Sequence, residues 1–236
     1  MGHDDHLDNF YPQASSQWDS LRHIRHPREG FYNWTTDDQI VSGGGRLGIE
    51  NMARRGIAGR GVLLDVERHL AAQGRRLDYT EAEVIDAATL DACAREQGVE
   101  LRVGDILLVH TGWLKWYLSE ASPEQRRRMA EDAMTTLRAP GIGPKEPMAR
   151  YLWDLHVAAV AADNPSLEPW PPGADRSGFL HFDLIPLLGI PIGELWWLSD
   201  LAADCAEDGV YEFFLTSAPL DIPGGVGSPP NALAIK

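Results

Sequence analysis

At 236 residues, 44% of them hydrophobic and eight of them tryptophan, the chain has the length and composition of one sizeable folded domain, which excludes wholesale disorder. A net charge of −14 argues against a nucleic-acid partner, because phosphate neutralisation needs a basic patch, and the one basic cluster, Arg126-Arg127-Arg128, fits the solvated face of a helix. No run of about eighteen apolar residues offers a membrane span, and the acidic start MGHDDHLDNF lacks the basic-then-apolar pattern of a signal peptide.

The two cysteines, Cys93 and Cys205, lie in helix-like apolar contexts and form no metal-type pair, so both read as reduced core thiols of a cytoplasmic protein. In chain order, Gln13 to His26 comes first. It sets Gln13, Gln17, Asp19 and His23 at odd positions, which share one face wherever the run is extended. Residues 31–49 are loop-like and include Gly43-Gly44-Gly45, and a short helix follows from Ile49 to Arg54. Gly61 to Val66 is a short apolar run of the buried-strand type. Residues 78–98 read as helix, with Thr80 and Glu83 resembling a capping box, Thr89 able to cap a second stretch, and Gly98 as the stop. Gly104 to Trp113 is a second buried strand, 123–138 a helix with Pro123 in its first turn, and Ala149 to Trp153 a short helix after the loop from Pro140 to Pro147. Val157 to Ala162 is a third buried strand leading into Asp163-Asn164-Pro165-Ser166-Leu167-Glu168. Residues 177–188 have helical leucine spacing that Pro186 should end or kink, and 195–207 are helix-like. Tyr211, Phe213 and Leu215 alternate as a strand, and Ala232 to Ile235 forms a last one. Strands interleaved with helices, without repeats or a linker, give one α/β domain over 1–236.

Several strands end in polar residues for which a core has no use: Asp65, His110-Thr111, Asp163 and Glu194. His181 and Glu194 are more informative together. Each is hemmed by apolar neighbours, and a buried carboxylate needs a partner such as a histidine or a metal ion. Of the other histidines, His69 reads as surface, His156 as structural, and His3, His6 and His26 as loop residues, which leaves His23, His110 and His181 as site candidates. There is no Gly-x-Ser-x-Gly elbow, and Gly43-Gly44-Gly45-Arg46-Leu47-Gly48 lacks the lysine of a phosphate loop. Carboxylate, imidazole and amide chemistry remains.

These residues resemble the cyclase-like metal-dependent hydrolases, a family that includes bacterial kynurenine formamidase and isatin hydrolase. The family signature His-x-Gly-Thr-His-x-Asp-x-Pro-x-His is matched in spacing by Gln13 to His23, with Asp19 and His23 identical. His181 with Gly189-Ile190-Pro191-Ile192-Gly193-Glu194 is similar to the distal signature, Gly104 to Trp113 to the central strand, and Asp163 to Glu168 to a strand-end element. The resemblance implies an α/β swivelling β/β/α fold with a mixed central sheet and surrounding helices, assembled as a homodimer or homotetramer. It implies a divalent ion (Mn, Zn or Mg) on Asp19, His181 and Glu194, and His23 as general base acting with Asp19. Gln13 and Gln17 replace both metal-binding histidines, as in a branch with Gln-Trp-Asp at this point. Gln17 is then a weak oxygen ligand, one ion is expected instead of two, and Mn or Mg is favoured over Zn. The chain begins at the signature, whereas relatives carry a further segment before it.

The expectation is therefore a hydrolase of a C–N (amide or lactam) or cyclic ester bond in a small aromatic substrate, with Gln13, Trp18, Trp113 and Trp196 around the substrate. Two further readings are a metal-independent cyclase, dehydratase or isomerase using His23 with a carboxylate, and a non-catalytic small-molecule binder.

Overall fold

A computed structural model describes residues 7–41, 44–173 and 176–236. His3, His6 and Gly43, read above as loop residues, lie outside the described residues. Ten strands are present among them: β1 (Gln17–Asp19), β2 (Ile57–Asp65), β3 (Val84–Ile85), β4 (Ile106–His110), β5 (Gly141–Ile142), β6 (Ala159–Ala162), β7 (Ile192–Glu194), β8 (Glu212–Ser217), β9 (Gly227–Ser228) and β10 (Ala232–Ile235). Eight of them form one mixed sheet in the order β10-β8-β2-β4-β6-β7-β1-β9. The centre β2-β4-β6-β7 is parallel, while β8 and β10 on one flank and β1 and β9 on the other run antiparallel. The helices are α1 (Glu50–Arg55), α2 (Val66–Ala72), α3 (Ala87–Gln97), α4 (Trp113–Ser119), α5 (Pro123–Glu131), α6 (Lys145–Asp154), α7 (His181–Asp183) and α8 (Ser199–Asp208). This is the expected α/β swivelling β/β/α arrangement, a large curled sheet with helices around it.

The central strands are mostly apolar, apart from Arg60 and the strand-end Asp65, His110 and Glu194, because both faces are covered, as parallel sheets require. Alternation then sends successive residues into two different cores. Val62, Leu64, Leu107, Val109, Val160, Ala162 and Ile192 pack with Leu90, Cys93, Met148, Leu152 and Leu184 from α3, α6 and the segment after α7. Leu63, Ile106, Leu108, Ala159 and Ala161 pack on the opposite face with Ala202 and Cys205 of α8 and with Trp18, Trp196 and Phe213. Both cysteines are free and buried. No helix among the described residues is long and apolar enough to cross a membrane.

Five sequence expectations need correction. Residues 78–98 are not one helix: α3 begins only at Ala87, capped by Asp86, whose carboxylate accepts from the Thr89 N–H. Glu83 accepts instead from the Asp78 N–H and pairs with Arg75, and the β-branched Val84–Ile85 pairs in parallel with Gly141–Ile142 in a separate small sheet. The helix from Pro123 stops at Glu131, because the Asp132 carboxylate accepts from the Met134 N–H and the Thr135 hydroxyl in a turn. Pro147 lies inside α6, two residues after its start, where a missing N–H costs no helical bond. His69 is buried, with Nδ1 2.5 Å from Glu96 Oε2. At Pro186 the chain does not break: α7 widens into a π-turn at Leu184–Leu188, which absorbs the ring that an α-helix would exclude, and Gly189 closes it in the left-handed region.

Candidate metal centre and active site

Strand β1 is only three residues long, wedged antiparallel between β7 and β9. Within it Gln17 and Asp19 face one way and Trp18 the other, so alternation carries just two of the four polar groups read from the sequence. Gln13 arrives on the 3-10 turn Pro12–Ala14, and His23 on the turn that follows the strand. The register places Gln17 opposite Glu194. His181, the first residue of α7, closes the third side.

The distances are short. His181 Nε2 lies 3.0 Å from Glu194 Oε1 and 3.7 Å from Asp19 Oδ2. Ligand atoms of Asp19, His181 and Glu194 all lie within 4.8 Å of one another, and all three residues are buried. On the far side of the ring, His181 Nδ1 is 3.0 and 2.9 Å from the two oxygens of Glu168. Phe179 stacks on the ring at 4.6 Å and 2°. Gln17 Nε2 donates to Glu194 Oε2 at 2.7 Å and more weakly to Asp19 Oδ1 at 3.4 Å. His23 Nε2 is 3.9 Å from Asp19 Oδ1.

Three buried carboxylates thus surround one buried imidazole. Burial pushes Glu194 up to about 7, and the Asp19 charge adds to it. Burial likewise raises Glu168, opposed by His181. For His181 burial acts downward, but Glu168, Asp19 and Glu194 hold the ring well above the ordinary histidine range. His23 goes the other way: burial lowers it, Asp19 offsets part of this, and His181 lowers it further. A neutral, half-buried imidazole therefore stands beside a cationic one.

The donor set fits a divalent cation. Asp19 Oδ2 is buried without a hydrogen-bond partner, as is Gln17 Oε1, and an orphaned carboxylate oxygen is costly unless something binds it. Glu168 occupies Nδ1 and leaves Nε2 directed at the two carboxylates, the arrangement that orients a metal-binding histidine. Gln17 turns its amide nitrogen to Glu194 and Asp19, clamping the two carboxylates together, and leaves its Oε1 buried without a partner.

The tryptophans divide. Trp113 lines an apolar cavity of about 550 Å³ together with Ser15, Ser16, Tyr117, Leu195 and Trp197. Asp19, His23, His181 and Glu194 are not part of its wall, but Ser16 and Leu195 are the immediate chain neighbours of Gln17 and Glu194, and the Ser16 hydroxyl donates to the Leu195 carbonyl at 2.6 Å. Trp18 and Trp196 were expected beside the substrate and lie instead in the core on the other face of the sheet. They cross edge-to-face at 4.8 Å, with Trp18 Nε1 donating to the Ser217 hydroxyl and Trp196 Nε1 to the Gln17 carbonyl. They brace β1 from behind. Gln13 is beside the centre: a Cβ at Gly227 would lie 2.5 Å from its Nε2 and 3.4 Å from Asp19 Oδ1, and that Nε2 is buried without a partner. Glu168 was passed over as a site residue, although its strand-end element was recognised. A glutamate after Leu167, a residue with φ of 58°, gives no local hint of a histidine thirteen positions on.

The chain matches the family described as "Putative cyclase" over residues 6–169. No curated protein matches it. Among solved structures it is similar to one described as a novel cyclase, at 38% identity and a TM-score of 0.80, covering 96% of this chain and 70% of that one. The fold is shared with isatin hydrolase A from Ralstonia solanacearum (16% identity, TM-score 0.61, 94% of this chain and 71% of that one). It is shared also with a potential metal-dependent hydrolase with cyclase activity (17% identity, TM-score 0.55, 96% and 80%). With the family pattern covering most of its length and a 38% identical relative covered over 70% of its own, this chain belongs to the cyclase family.

Proposed function

We propose that this protein is a hydrolase that opens an amide, lactam or cyclic ester bond of a small aromatic substrate at the centre formed by Asp19, His181 and Glu194. One observation carries the reading: three buried donors converge around an unsatisfied carboxylate oxygen, while a third acid, Glu168, holds the other nitrogen of the histidine. Two carboxylates and one imidazole favour an oxygen-preferring ion such as Mn²⁺ or Mg²⁺ over Zn²⁺. When bound, such an ion supplies Lewis-acid polarisation of a carbonyl and lowers the pKa of water.

The remaining work falls to this chain's own residues. Glu168 retains the proton on His181 Nδ1 and fixes the ring. Gln17 ties Glu194 to Asp19 and keeps both carboxylates aimed inward. His23, neutral near pH 7, takes a proton from the attacking water at Nε2 and returns it to the leaving nitrogen or oxygen. Gln13 Nε2, buried and unpartnered, is placed to donate to a substrate oxygen. The apolar cavity next to Ser16 and Leu195 has the size and lining for the aromatic body of the substrate.

The test is a metal analysis of the purified protein followed by turnover measurements on formylated anilines, lactams and lactones, with and without chelator. About one divalent ion per chain and activity lost on chelation are expected. Turnover that persists without any ion would instead support acid–base catalysis by His23, and binding without turnover would mark a non-catalytic binder.

A further inference from the structure

Alternation along β2 and β4 sends Asp65 and His110 to the face of the sheet opposite the Asp19 centre, the face packed by α8. Asp65 ends β2 and His110 ends β4, so both lie at the carboxyl edge of the parallel strands, where open α/β sheets bind ligands. There His110 Nδ1 lies 2.9 Å from Asp65 Oδ1, and His110 Nε2 lies 3.3 Å from the Ser199 hydroxyl. His110 and Asp65 are each 3% exposed, while Ser199 is half-buried. All three open onto a cavity of about 380 Å³ shared with Glu67, Tyr79 and Lys115. A carboxylate on one imidazole nitrogen and a hydroxyl on the other is the arrangement that activates a serine, recognised by geometry and not by chain order.

Ser199 is the first residue of the ten-residue helix α8, whose N-cap residue makes no side-chain capping bond. The N–H groups of that first turn have no intrahelical acceptor, which suits them to a developing oxyanion beside the hydroxyl. Asp65 is fixed by more than the histidine: it caps α2 through the Arg68 N–H and accepts from Arg68 Nε at 3.1 Å. The Lys115 and Arg76 side chains also line this cavity, so two cationic groups face a ligand there.

We propose that Ser199, His110 and Asp65 form a second, serine-type site that hydrolyses small esters with an anionic acyl group, independent of any metal at the Asp19 centre. Ser199 Oγ bonds to the acyl carbon as its proton passes to His110 Nε2. The ester C–O bond then breaks and the alcohol leaves with that proton. Water, deprotonated by the same nitrogen, cleaves the acyl–serine bond to release the acid and restore the hydroxyl. Asp65 is a positioning residue that fixes the ring tautomer.

The groups facing the ring set the working pH. Burial lowers the histidine, but Asp65 of β2, Asp163 after β6 and Glu67 of α2 raise it above its ordinary 6.5, and Ser199 of α8 is uncharged. The ring is therefore free to accept a proton only once the pH exceeds that raised value.

The experiment labels the full chain with a fluorophosphonate probe at pH 9 in the presence of EDTA, maps the adduct by mass spectrometry, and measures hydrolysis of 4-nitrophenyl succinate against 4-nitrophenyl acetate. One adduct on Ser199 is expected, absent in S199A. In H110Q, labelling should slow by roughly 10²–10⁴-fold. The labelling rate of the parent chain should rise with pH through one ionisation above 6.5, which serves as the readout should H110Q fail to fold. No adduct on Ser199, labelling unaffected in a folded H110Q, or a flat pH profile overturns the proposal.

Discussion

Glu168 grips His181 by Nδ1, its two oxygens 3.0 and 2.9 Å from that nitrogen. Among the described residues no other side chain bonds that nitrogen, so Glu168 sets which imidazole nitrogen meets Asp19 and Glu194. Replacing Glu168 with Gln keeps the shape but allows the ring to turn, and outer-shell changes of this kind cost roughly 10–100-fold in metal affinity. Titration of the apo protein with Mn²⁺ should show that loss in E168Q, with the fold unchanged by circular dichroism. Equal affinity would remove Glu168 from the centre.

Thermal stability should depend on divalent ions. Three buried carboxylates around His181 repel one another, and a cation that binds the native state alone stabilises it by about 2.7 kcal/mol at a hundred times its Kd. In a domain of this size that corresponds to a rise in Tm of roughly 5–10 °C. Differential scanning fluorimetry with Mn²⁺ and with EDTA measures it, and Asp19→Asn should abolish the difference.

His23 should separate chemistry from metal binding. H23Q is expected to lower kcat by roughly 10²–10⁴-fold while leaving metal content intact, since its nitrogen stands 3.9 Å from the nearest carboxylate oxygen of Asp19. The parent enzyme should lose kcat/KM as pH falls through an ionisation below 6.5, because the base must be neutral and burial lowers its pKa. That acid limb should vanish in H23Q.

Gly141 supports the centre from behind. A Cβ there would lie 2.3 Å from the carbonyl carbon of Glu168 and 2.5 Å from the Leu167 carbonyl oxygen, both backbone atoms of the segment that carries the Glu168 side chain. Gly141→Ala should cost about 1–3 kcal/mol by overpacking and weaken Mn²⁺ binding with it. Urea denaturation and metal titration of the same sample would show both effects, or refute the coupling.

The His110–Asp65 pair gives stability a defined pH window. His110 is raised in the folded state, so its contribution is complete below 6.5 and fades as pH climbs through the raised value. For Asp65, burial raises the pKa, but hydrogen bonds from His110 and Arg68 prevail and lower it, so its contribution is present above 3.8 and fades as pH falls through the lowered value. Urea midpoints of the parent should therefore exceed those of H110Q by most between these two ordinary values, with the gap narrowing as pH rises through the raised value of His110.

The central strands β2, β4 and β6 were legible because each is a short apolar run that both faces of a covered sheet require. The pairing of His181 with Glu194 was legible for an energetic reason: neither charge is tolerable among leucines and isoleucines without the other. The misreadings arise where a side chain or strand takes a partner other than the one its local spacing suggests. Thr80 and Glu83 have the spacing of a cap, but Glu83 is taken by Asp78 and Arg75, and Val84–Ile85 by a strand 57 residues further on. His69 looked solvated until Glu96 and Gln73 closed over it. Trp18 is a different case. Alternation places it on the face opposite Gln17 and Asp19, and an indole ring suits a core as well as a pocket.

Strand β1 has neighbours only in β7 and β9, and Gln17 finds Glu194 across 177 residues. During synthesis at about 5–20 residues per second, the segment holding Gln17 and Asp19 therefore waits roughly 9–35 s before its partner strand leaves the ribosome. Until then Asp19 stands apart from His181 and Glu194. The centre is assembled among the last steps of folding, and a nascent or truncated chain cannot sequester a cation there ahead of the finished sheet.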